Sequence, residues 1–373
     1  MIIKREDQFY LIESLQQHPS AFIIFNKDLT IQWMNNSSKY IFACEENCES
    51  DCIDDCDVEI KGVFNIKKSE KLEQAKIASS FESNVDMRLR KINFFLRCRV
   101  HEVPLEDGSS FYLLEVLTTN KDSLEALRGT ISCIEHDRID LAYQKQVDLK
   151  SGRLVGLEAL LRMRDEAGNI IPNDKFIPLI EGESLFSLVV MASLEKLKEA
   201  FELKNEVDMN GVTIYLNVSA HTAMQENFTK IFTDYVTELK LKPGELGLEI
   251  TETAELEDVE KAGKSFKVLK DFGIPLAIDD FGAGYSSLSY LRDLPVDSVK
   301  LDKVFSQTIS EKTTTELIKF VVSVCDSLSL VMLGEGIETE DQKQKFIDIG
   351  CPNGQGYLMH RPEFIQELKK TLK

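Results

Sequence analysis

Apolar and polar positions alternate in the first third of the chain as they do in short β-strands. Residues 21–35 consist of an apolar run, a polar turn and a second apolar run, which predicts two strands joined by a tight turn. Two longer β-rich runs, Lys91–Val103 and Ser110–Leu117, flank a segment with proline, aspartate and glycine that is typical of a hairpin. With a helical stretch between these two pairs, residues 1–118 are predicted to form a small α+β domain.

The pattern changes near residue 139, where apolar strands begin to alternate with amphipathic helices. Strands are predicted at Tyr215–Val218, Leu246–Ile250, Leu276–Ile278, Ser298–Leu301, Leu330–Leu333 and near Tyr357. Helices are predicted at Phe228–Leu239, Val259–Phe272 and Thr313–Ser327. Repeated strand–helix units favour a parallel sheet, and the length of the segment 139–373 favours a TIM-like (β/α)8 barrel.

Residues 119–138 join these two regions and have the composition of a polar helix. Leu124, Leu127 and Ile131 recur at helical spacing within this segment. An apolar stripe of this kind also pairs with a second copy of itself in coiled-coil dimers. The sequence therefore predicts a helical connector between the two domains, and we expect a homodimer.

Charge narrows the chemistry that the chain is expected to perform. It has 63 acidic residues against 44 basic ones, a formal net charge of −19. This balance argues against binding a nucleic-acid polymer, which requires clustered lysine and arginine on the protein surface. We expect any phosphate compound to be handled instead through metal ions held by carboxylates.

Apolar runs and cysteines indicate the compartment. No run approaches the roughly 20 apolar residues that span a bilayer. Residues 1–7 lack the basic-then-apolar order of a signal peptide. Eight cysteines in 373 residues are too few for a disulfide scaffold. We therefore expect a cytoplasmic protein with no membrane insertion.

Polar residues lie at the carboxyl ends of successive predicted strands. These residues are Glu158, Asn217, Glu249, Glu252, Asp279, Asp280, Lys300 and Glu335. A single acid at a strand end most often caps a helix. Acids at several strand ends are different, because the carboxyl ends of all barrel strands meet at one rim, and we expect these side chains to lie close together there. Hard divalent cations such as Mg²⁺ or Mn²⁺ relieve the repulsion within such a cluster. A dense cluster suits two ions ~3.5–4 Å apart, as used in phosphodiester displacement.

Seven motifs carry these residues in a fixed order. They are Glu158-Ala159-Leu160-Leu161-Arg162, Leu216-Asn217-Val218-Ser219, Glu249-Ile250-Thr251-Glu252, the segment 279–288 that begins Asp279-Asp280-Phe281-Gly282, Lys300-Leu301-Asp302, the segment 334–339 that contains Glu335, and Gln355-Gly356-Tyr357. In this order they resemble the EAL-domain cyclic di-GMP phosphodiesterases, over residues 139–366. Residues 1–118 resemble a PAS domain, in which Asn35 occupies a position where asparagine is common.

The resemblance implies a role for each motif residue. The implied metal ligands are Glu158, Asn217, Glu249, Asp279, Asp280 and Glu335, with Asp279 shared between two ions. Lys300 would orient the attacking water, and Glu158, Glu335 and Glu252 complete the implied catalytic set. Glu252 would hold the loop that begins at Phe281.

The resemblance also implies the substrate contacts. Arg162 would bind a phosphate of the substrate through its planar guanidinium, with Leu161 beside it. Gln355 would lie against a guanine base. The implied reaction is hydrolysis of cyclic di-GMP to linear pGpG with two Mg²⁺ or Mn²⁺ ions, inhibited by Ca²⁺ and regulated by the N-terminal domain.

Two other functions are compatible with parts of the pattern. A receptor that binds cyclic di-GMP without hydrolysing it usually lacks one or more metal ligands, whereas here all of them are present. A metal-dependent barrel enzyme of another family would not carry the seven motifs in this order. The hypothesis of a cyclic di-GMP phosphodiesterase is therefore favoured over both.

Four cysteines, Cys44, Cys48, Cys52 and Cys56, recur every four residues in the N-terminal domain. Iron–sulfur or zinc binding and a redox-active disulfide are both alternatives to plain reduced thiols. On one straight helix the first and last would lie about 18 Å apart, too far for a single metal ion. Neighbouring carboxylates also disfavour reactive thiolates. Reduced thiols are thus the favoured interpretation.

Overall fold

A computed structural model of the protein describes most of the barrel region and part of the N-terminal region. The described residues are 15–16, 20–26, 28–35, 38, 58–63, 81–89, 92–104, 110–116, 129–130, 132–134, 136–173, 177, 185–207, 209–224, 226–251, 259–282 and 288–372. The four-cysteine ladder, connector residues 119–128 and Glu252 lie outside this set. The chain divides into two compact units, residues 1–139 with 163–192, and residues 140–162 with 193–373. The domain boundaries 1–118, 119–138 and 139–373 stay a prediction.

The first unit contains an antiparallel sheet. Its strands are β1 (Phe22–Phe25), β2 (Ile31–Met34), β3 (Val58–Val63), β4 (Phe81–Leu89), β5 (Ile92–Pro104) and β6 (Ser110–Val116), in the order β2-β1-β6-β5-β4-β3. The first strand pair and the closing hairpin are as predicted. The helical middle was wrong where β3 and β4 form, because Val85, Met87 and Leu89 of β4 alternate with polar residues, the period of a strand. The PAS-like assignment stays a prediction.

Asn35 ties the start of this sheet together. Its buried side-chain oxygen accepts hydrogen bonds from the backbone N–H groups of Phe22 (3.0 Å) and Ser38 (2.9 Å). Its amide nitrogen donates to the carbonyl groups of Leu15 (3.1 Å) and Ser20 (2.8 Å). An amide has this combination of donors and acceptors, so the position requires asparagine for structural reasons.

The second unit is built on a closed eight-stranded barrel, which confirms the predicted fold. Its strands are β7 (Ile139–Asp148), β8 (Leu154–Arg164), β10 (Thr213–Ser219), β11 (Leu246–Thr251), β12 (Leu276–Phe281), β13 (Ser298–Leu301), β14 (Val331–Gly334) and β15 (Asn353–Gly354). The pairing of β7 with β8 closes the sheet. Two short strands, β9 (Ile170–Ile171) and β16 (Glu363–Phe364), extend β8 and β7.

One strand of the barrel departs from the expected parallel arrangement. β7 pairs antiparallel with β15, whereas β8 and β10 to β15 pair parallel with one another. A parallel connection needs a crossover of a dozen residues or more, but only residues 149–153 separate β7 from β8. The short connection therefore forces β7 to run against its neighbours.

The described helices follow the predicted pattern to within two residues at each end where helices were predicted. They are α1 (Leu185–Glu206), α2 (Ala220–Ala223), α3 (Glu226–Glu238), α4 (Val259–Asp271), α5 (Leu288–Asp293), α6 (Lys303–Thr308), α7 (Lys312–Leu328), α8 (Glu340–Ile349) and α9 (Ile365–Thr371). Among the described helices, none has both the length and the apolar character required to cross a membrane.

The last short strand of the barrel lies before Tyr357 and does not include it. Tyr357 lies in a turn, and the last barrel strand, β15, ends at Gly354. The turn packs so closely on the preceding segment that a β-carbon on Gly356 would overlap the backbone nitrogen and carbonyl of Ile337. A two-residue strand is too short to produce a periodic pattern, so only the structure locates it.

We expect Gly356→Ala to lower the free energy of unfolding by ~1–3 kcal/mol, because the added methyl group meets backbone that cannot move cheaply. Gly263→Ala is a matched control, since in α4 the nearest atom to its β-carbon is the Asp293 carbonyl oxygen at 4.0 Å. The control should raise stability by ~0.5–1 kcal/mol, because alanine is the better helix former. Urea unfolding followed by circular dichroism measures both, and equal stabilities for Gly356→Ala and the parent would contradict the expectation.

Candidate functional site

One buried lysine lies at the centre of the polar cluster in the barrel. Lys300 of β13 is 1% exposed. Its Nζ lies 2.5 Å from Glu249 Oε2, 2.9 Å from Glu335 Oε1, 3.0 Å from Asp279 Oδ1 and 3.4 Å from Glu158 Oε2. A single ammonium neutralises one of the four charges and donates at most three hydrogen bonds. The cluster is therefore short of positive charge.

The barrel strands bring these side chains together as the rim argument predicts. Asn217 of β10 stands opposite Glu249 of β11 in the parallel register, and Glu335 directly follows β14. Glu158 differs from the expectation, because β8 does not end there. The strand continues to Arg164 and pairs with β9 beyond the barrel.

A bulge in β12 aims two adjacent aspartates at the same place. Neighbouring residues of a regular strand point to opposite faces. The pairing of β12 with β13 shifts register between Ile278 and Phe281, and Asp280 adopts a left-handed φ of 52°. Carboxylate oxygens of Asp279, Asp280 and Glu335 consequently lie within 4.8 Å of one another. Such strain in a residue with a side chain costs ~1–3 kcal/mol and is concentrated at functional sites.

A second set of three carboxylates shares Asp279 with the first. Oxygens of Glu158, Glu249 and Asp279 also lie within 4.8 Å of one another. Asn217 donates from Nδ2 to Glu158 Oε1 at 2.8 Å, whereas its Oδ1 is buried and has no partner among the described residues. A buried carbonyl oxygen without a partner is costly, and a cation would satisfy it.

These donors determine which ions the cluster suits. They are carboxylate and amide oxygens, with no thiolate or imidazole in either set of three. Hard divalent cations such as Mg²⁺, Mn²⁺ and Ca²⁺ prefer oxygen ligands of this kind. The residues present thus fit a hard divalent cation.

Burial keeps several of these carboxyls partly protonated when no cation balances them. It raises the pKa of Glu335 to about 8 and that of Asp280 to about 6, with Asp279 adding to both shifts and Lys300 opposing them. Burial likewise raises the pKa of Glu249 well above its ordinary value. A bound cation would displace these protons, because metal ligands must be deprotonated.

Glu158 and Lys300 behave differently from the other members of the cluster. Burial opposes ionisation of Glu158, but Lys300, Asn217 and Gln355 outweigh it and lower the pKa of this carboxyl. Burial also disfavours the charged form of Lys300, but the surrounding carboxylates raise the pKa of its ammonium well above the ordinary value. Lys300 and Glu158 therefore form the ionised centre of the cluster.

The predicted substrate residues lie beside Glu158. Gln355 donates a hydrogen bond to Glu158 Oε2, and Arg162 is half-buried four residues further along β8. The Nη1 group of Arg162 donates to the carbonyl of the half-buried Leu161 at 2.8 Å. Glu252 and residues 283–287 of the predicted loop lie outside the described part of the chain, so their placement stays a prediction.

Sequence reasoning missed two buried glutamines of β7. Gln146 donates to Glu249 Oε1 at 2.8 Å, and Gln144 accepts a hydrogen bond from Gln355 at 3.0 Å. Their spacing of two residues in an otherwise buried strand was the available signal, because such residues share one face. They could not be predicted from the rim argument, because both lie inside β7 and not at the carboxyl end of a strand.

Comparison with known proteins places the site in a family. The family model of the EAL domain matches residues 124–362. The cyclic di-GMP phosphodiesterase PdeA of Borreliella burgdorferi is 35% identical over 294 residues, which cover 77% of this chain and 43% of PdeA. The chain spans less than half the length of the first curated relatives that it matches.

Solved structures give the same result. A complex of the MucR phosphodiesterase of Pseudomonas aeruginosa with c-di-GMP has a TM-score of 0.59 and 28% identity, covering 65% of this chain and 99% of that chain. A calcium and cyclic di-GMP complex of Klebsiella pneumoniae BlrP1 has a TM-score of 0.53 and 26% identity, covering 61% of this chain and 56% of that chain.

We expect the stability of the metal-free protein to fall with rising pH, and to fall less in Glu335→Gln. The folded-state pKa of Glu335, about 8, exceeds its ordinary value of 4.5, so the folded protein holds a proton that the unfolded chain releases. Its contribution is complete below pH 4.5 and is lost as the pH rises through about 8. Urea unfolding in a chelator at a series of pH values measures the slope.

The control for this experiment is Glu202→Gln, which changes an exposed carboxyl of α1. It should leave the slope of the parent unchanged. Equal slopes for Glu335→Gln and Glu202→Gln would show that Glu335 does not retain the proton.

Proposed function

The chain belongs to the EAL-domain family, and on that basis we propose that it hydrolyses cyclic di-GMP to linear pGpG. The observation that carries the proposal is the convergence of four carboxylates on buried Lys300, with Asn217 and Asp280 beside them. Every metal-ligand position implied by the family is filled by a suitable residue. The phosphodiesterase relatives PdeA and MucR support the choice of substrate.

EAL domains depend on metal ions, and the acids of this site fit a metal. We propose two ions, Mg²⁺ or Mn²⁺. The first would be held by Glu158, Asn217, Glu249 and Asp279, and the second by Asp279, Asp280 and Glu335. When bound, such ions lower the pKa of water and neutralise charge on the phosphate.

Lys300 is proposed to orient the attacking water from its buried position. In the metal-free site the surrounding carboxylates raise the pKa of its ammonium, and in this protonated form the group can donate a hydrogen bond to a water molecule. Glu158 and Glu335 contact Lys300 directly, which supports their inclusion in the catalytic set. Glu252 remains part of that set on the sequence motif alone.

Arg162 and Gln355 are proposed to position the substrate. Arg162 has a planar guanidinium whose donors match the oxygens of a phosphate. Gln355 donates a hydrogen bond to Glu158 and would contact a guanine base. Leu161 would lie beside the substrate next to Arg162.

The alternative function is that of a receptor that binds cyclic di-GMP without hydrolysis. It would account for the substrate contacts but not for the complete set of acids. A receptor has no need of carboxyls whose ionisation is disfavoured by burial, as it is for Glu249 and Glu335. The enzyme is therefore the better proposal.

The wider organisation of the molecule is also a proposal. The apolar spacing of Leu124, Leu127 and Ile131 supports a homodimer with regulation of the barrel by the N-terminal domain. Free thiols at the four buried cysteines of the described part support a reducing compartment, the cytoplasm.

We expect the protein to release linear pGpG from cyclic di-GMP with Mg²⁺ or Mn²⁺, and Glu158→Ala to lower the rate more than ~100-fold. Loss of a neighbour that only orients a ligand already costs ~10–100-fold, and Glu158 would be a ligand itself. Chromatography of the products measures the rate. Glu367→Ala, an exposed acid of α9, should keep the parental rate. Tight binding without any linear product under either metal would favour the receptor.

We expect Ca²⁺ to inhibit this hydrolysis. Ca²⁺ accepts more ligands at longer distances and with less regular geometry than Mg²⁺, so it would place the attacking water poorly. Initial rates in Mg²⁺ with increasing Ca²⁺ test this expectation, with Na⁺ at matched ionic strength as the control. Full turnover with Ca²⁺ alone would contradict the proposed coordination.

A further inference from the structure

One hydrogen-bonding atom beside the proposed metal ligands has no partner in the described part of the chain. Gln355 is 4% exposed, and its Nε2 donates both to Glu158 Oε2 and to Gln144 Oε1, the latter at 3.0 Å. Its Oε1 is buried and has no partner within the described residues. Since both N–H groups of the amide are engaged, Gln355 can offer only an acceptor to an incoming molecule.

The orientation of this amide is determined by a backbone group of the fold. Gln144 donates from Nε2 to the carbonyl oxygen of His360 at 3.0 Å. A carbonyl oxygen can only accept, so Gln144 must turn its nitrogen towards His360 and its own oxygen towards Gln355. Gln355 must then turn its nitrogen towards Gln144. The hydrogen bonds are thus donated from Gln355 to Gln144 and from Gln144 to the carbonyl oxygen of His360.

Glu158 enforces the same orientation, but its oxygens have other partners. Asn217 donates to one of them and Lys300 approaches the other. Glu158 is also a proposed metal ligand. Gln144 has no such competing partner, because its remaining hydrogen bond goes to the main chain. The contact with Gln144 is therefore the anchor that metal binding does not disturb.

We propose that Gln144 is a positioning residue that keeps Gln355 Oε1 available as an acceptor for the base of the substrate. This inference rests on the proposed function, because it takes cyclic di-GMP as that substrate. On its pairing edge guanine presents two adjacent donors, N1–H and the 2-amino group, whereas adenine presents one donor, the 6-amino group, next to an acceptor at N1. An acceptor fixed opposite N1 favours guanine over adenine, since two acceptors that face each other make a costly unmatched contact. Gln144 thus contributes to base specificity without touching the base.

The experiment compares cyclic di-GMP with cyclic di-AMP in three variants. Gln144→Leu removes both hydrogen bonds and lets the Gln355 amide turn over. We expect KM for cyclic di-GMP to rise by ~10-fold with a smaller change in kcat, and the preference for guanine over adenine to shrink by about the same factor. Gln144→Glu should keep the preference, because a carboxylate oxygen still accepts from Gln355. Gln344→Leu, an exposed change in α8, should behave like the parent.

The ratio of kcat/KM for the two dinucleotides separates positioning from general damage. A merely structural defect lowers turnover of both substrates alike and leaves the ratio unchanged. A parental ratio in Gln144→Leu, or loss of the preference in Gln144→Glu, would overturn the proposal.

A parent protein that hydrolyses neither dinucleotide would contradict the proposed function rather than this inference. The side-chain NH₂ signals of Gln355 in protein labelled with ¹⁵N-glutamine then decide the question. Gln144→Leu should make these hydrogens exchange faster with solvent, whereas Gln144→Glu should leave them protected. Equal protection in the parent and Gln144→Leu would overturn the role of Gln144.

Discussion

A single buried ammonium shared by four carboxylates is the constraint on which the rest of the barrel site depends. Lys300 balances one charge, and the remaining charges must be met by protons or by cations. Burial makes these charges costly when neither protons nor cations balance them, since an uncompensated charge in a low-dielectric site is unfavourable. The side-chain oxygens of Asn217 and Gln355, which have no partner among the residues that the structure describes, lie in the same network. The site therefore offers carboxylate charges and hydrogen-bond acceptors that bound cations and substrate would satisfy.

Two irregularities of the barrel turn a general fold into this particular site. The bulge in β12 lets Asp279 and Asp280 face one place, which a regular strand would forbid. The reversed strand β7 brings Gln146 to Glu249 and Gln144 to Gln355. Both features interrupt the regular geometry of a parallel sheet, and both change which side chains face the site.

The sequence predicted the parts of the site that follow from the direction of the barrel strands, but not those that depend on a local backbone angle or a distant contact. Glu249, Asp279 and Lys300 could be grouped because parallel strands of a barrel end at one rim. The direction of Asp280 could not be predicted, because it depends on one left-handed backbone angle. The role of Gln144 could not be predicted from the sequence, because the group that orients its amide is the carbonyl of His360, 216 residues away. The strand β4 was missed despite its alternation, because a helix was expected there.

The closure of the barrel has a consequence for the synthesis of the chain. β7 pairs with β15 and β16, which are synthesised after all the other strands of the barrel. Until they emerge from the ribosome, the hairpin of β7 and β8 has an unpaired strand edge, which is prone to pair with other chains. Closing so long a loop also slows folding, because its entropy must be lost before the final contacts form. The pairing that brings Gln144 to its partner His360 is thus also the pairing that covers this edge of the sheet.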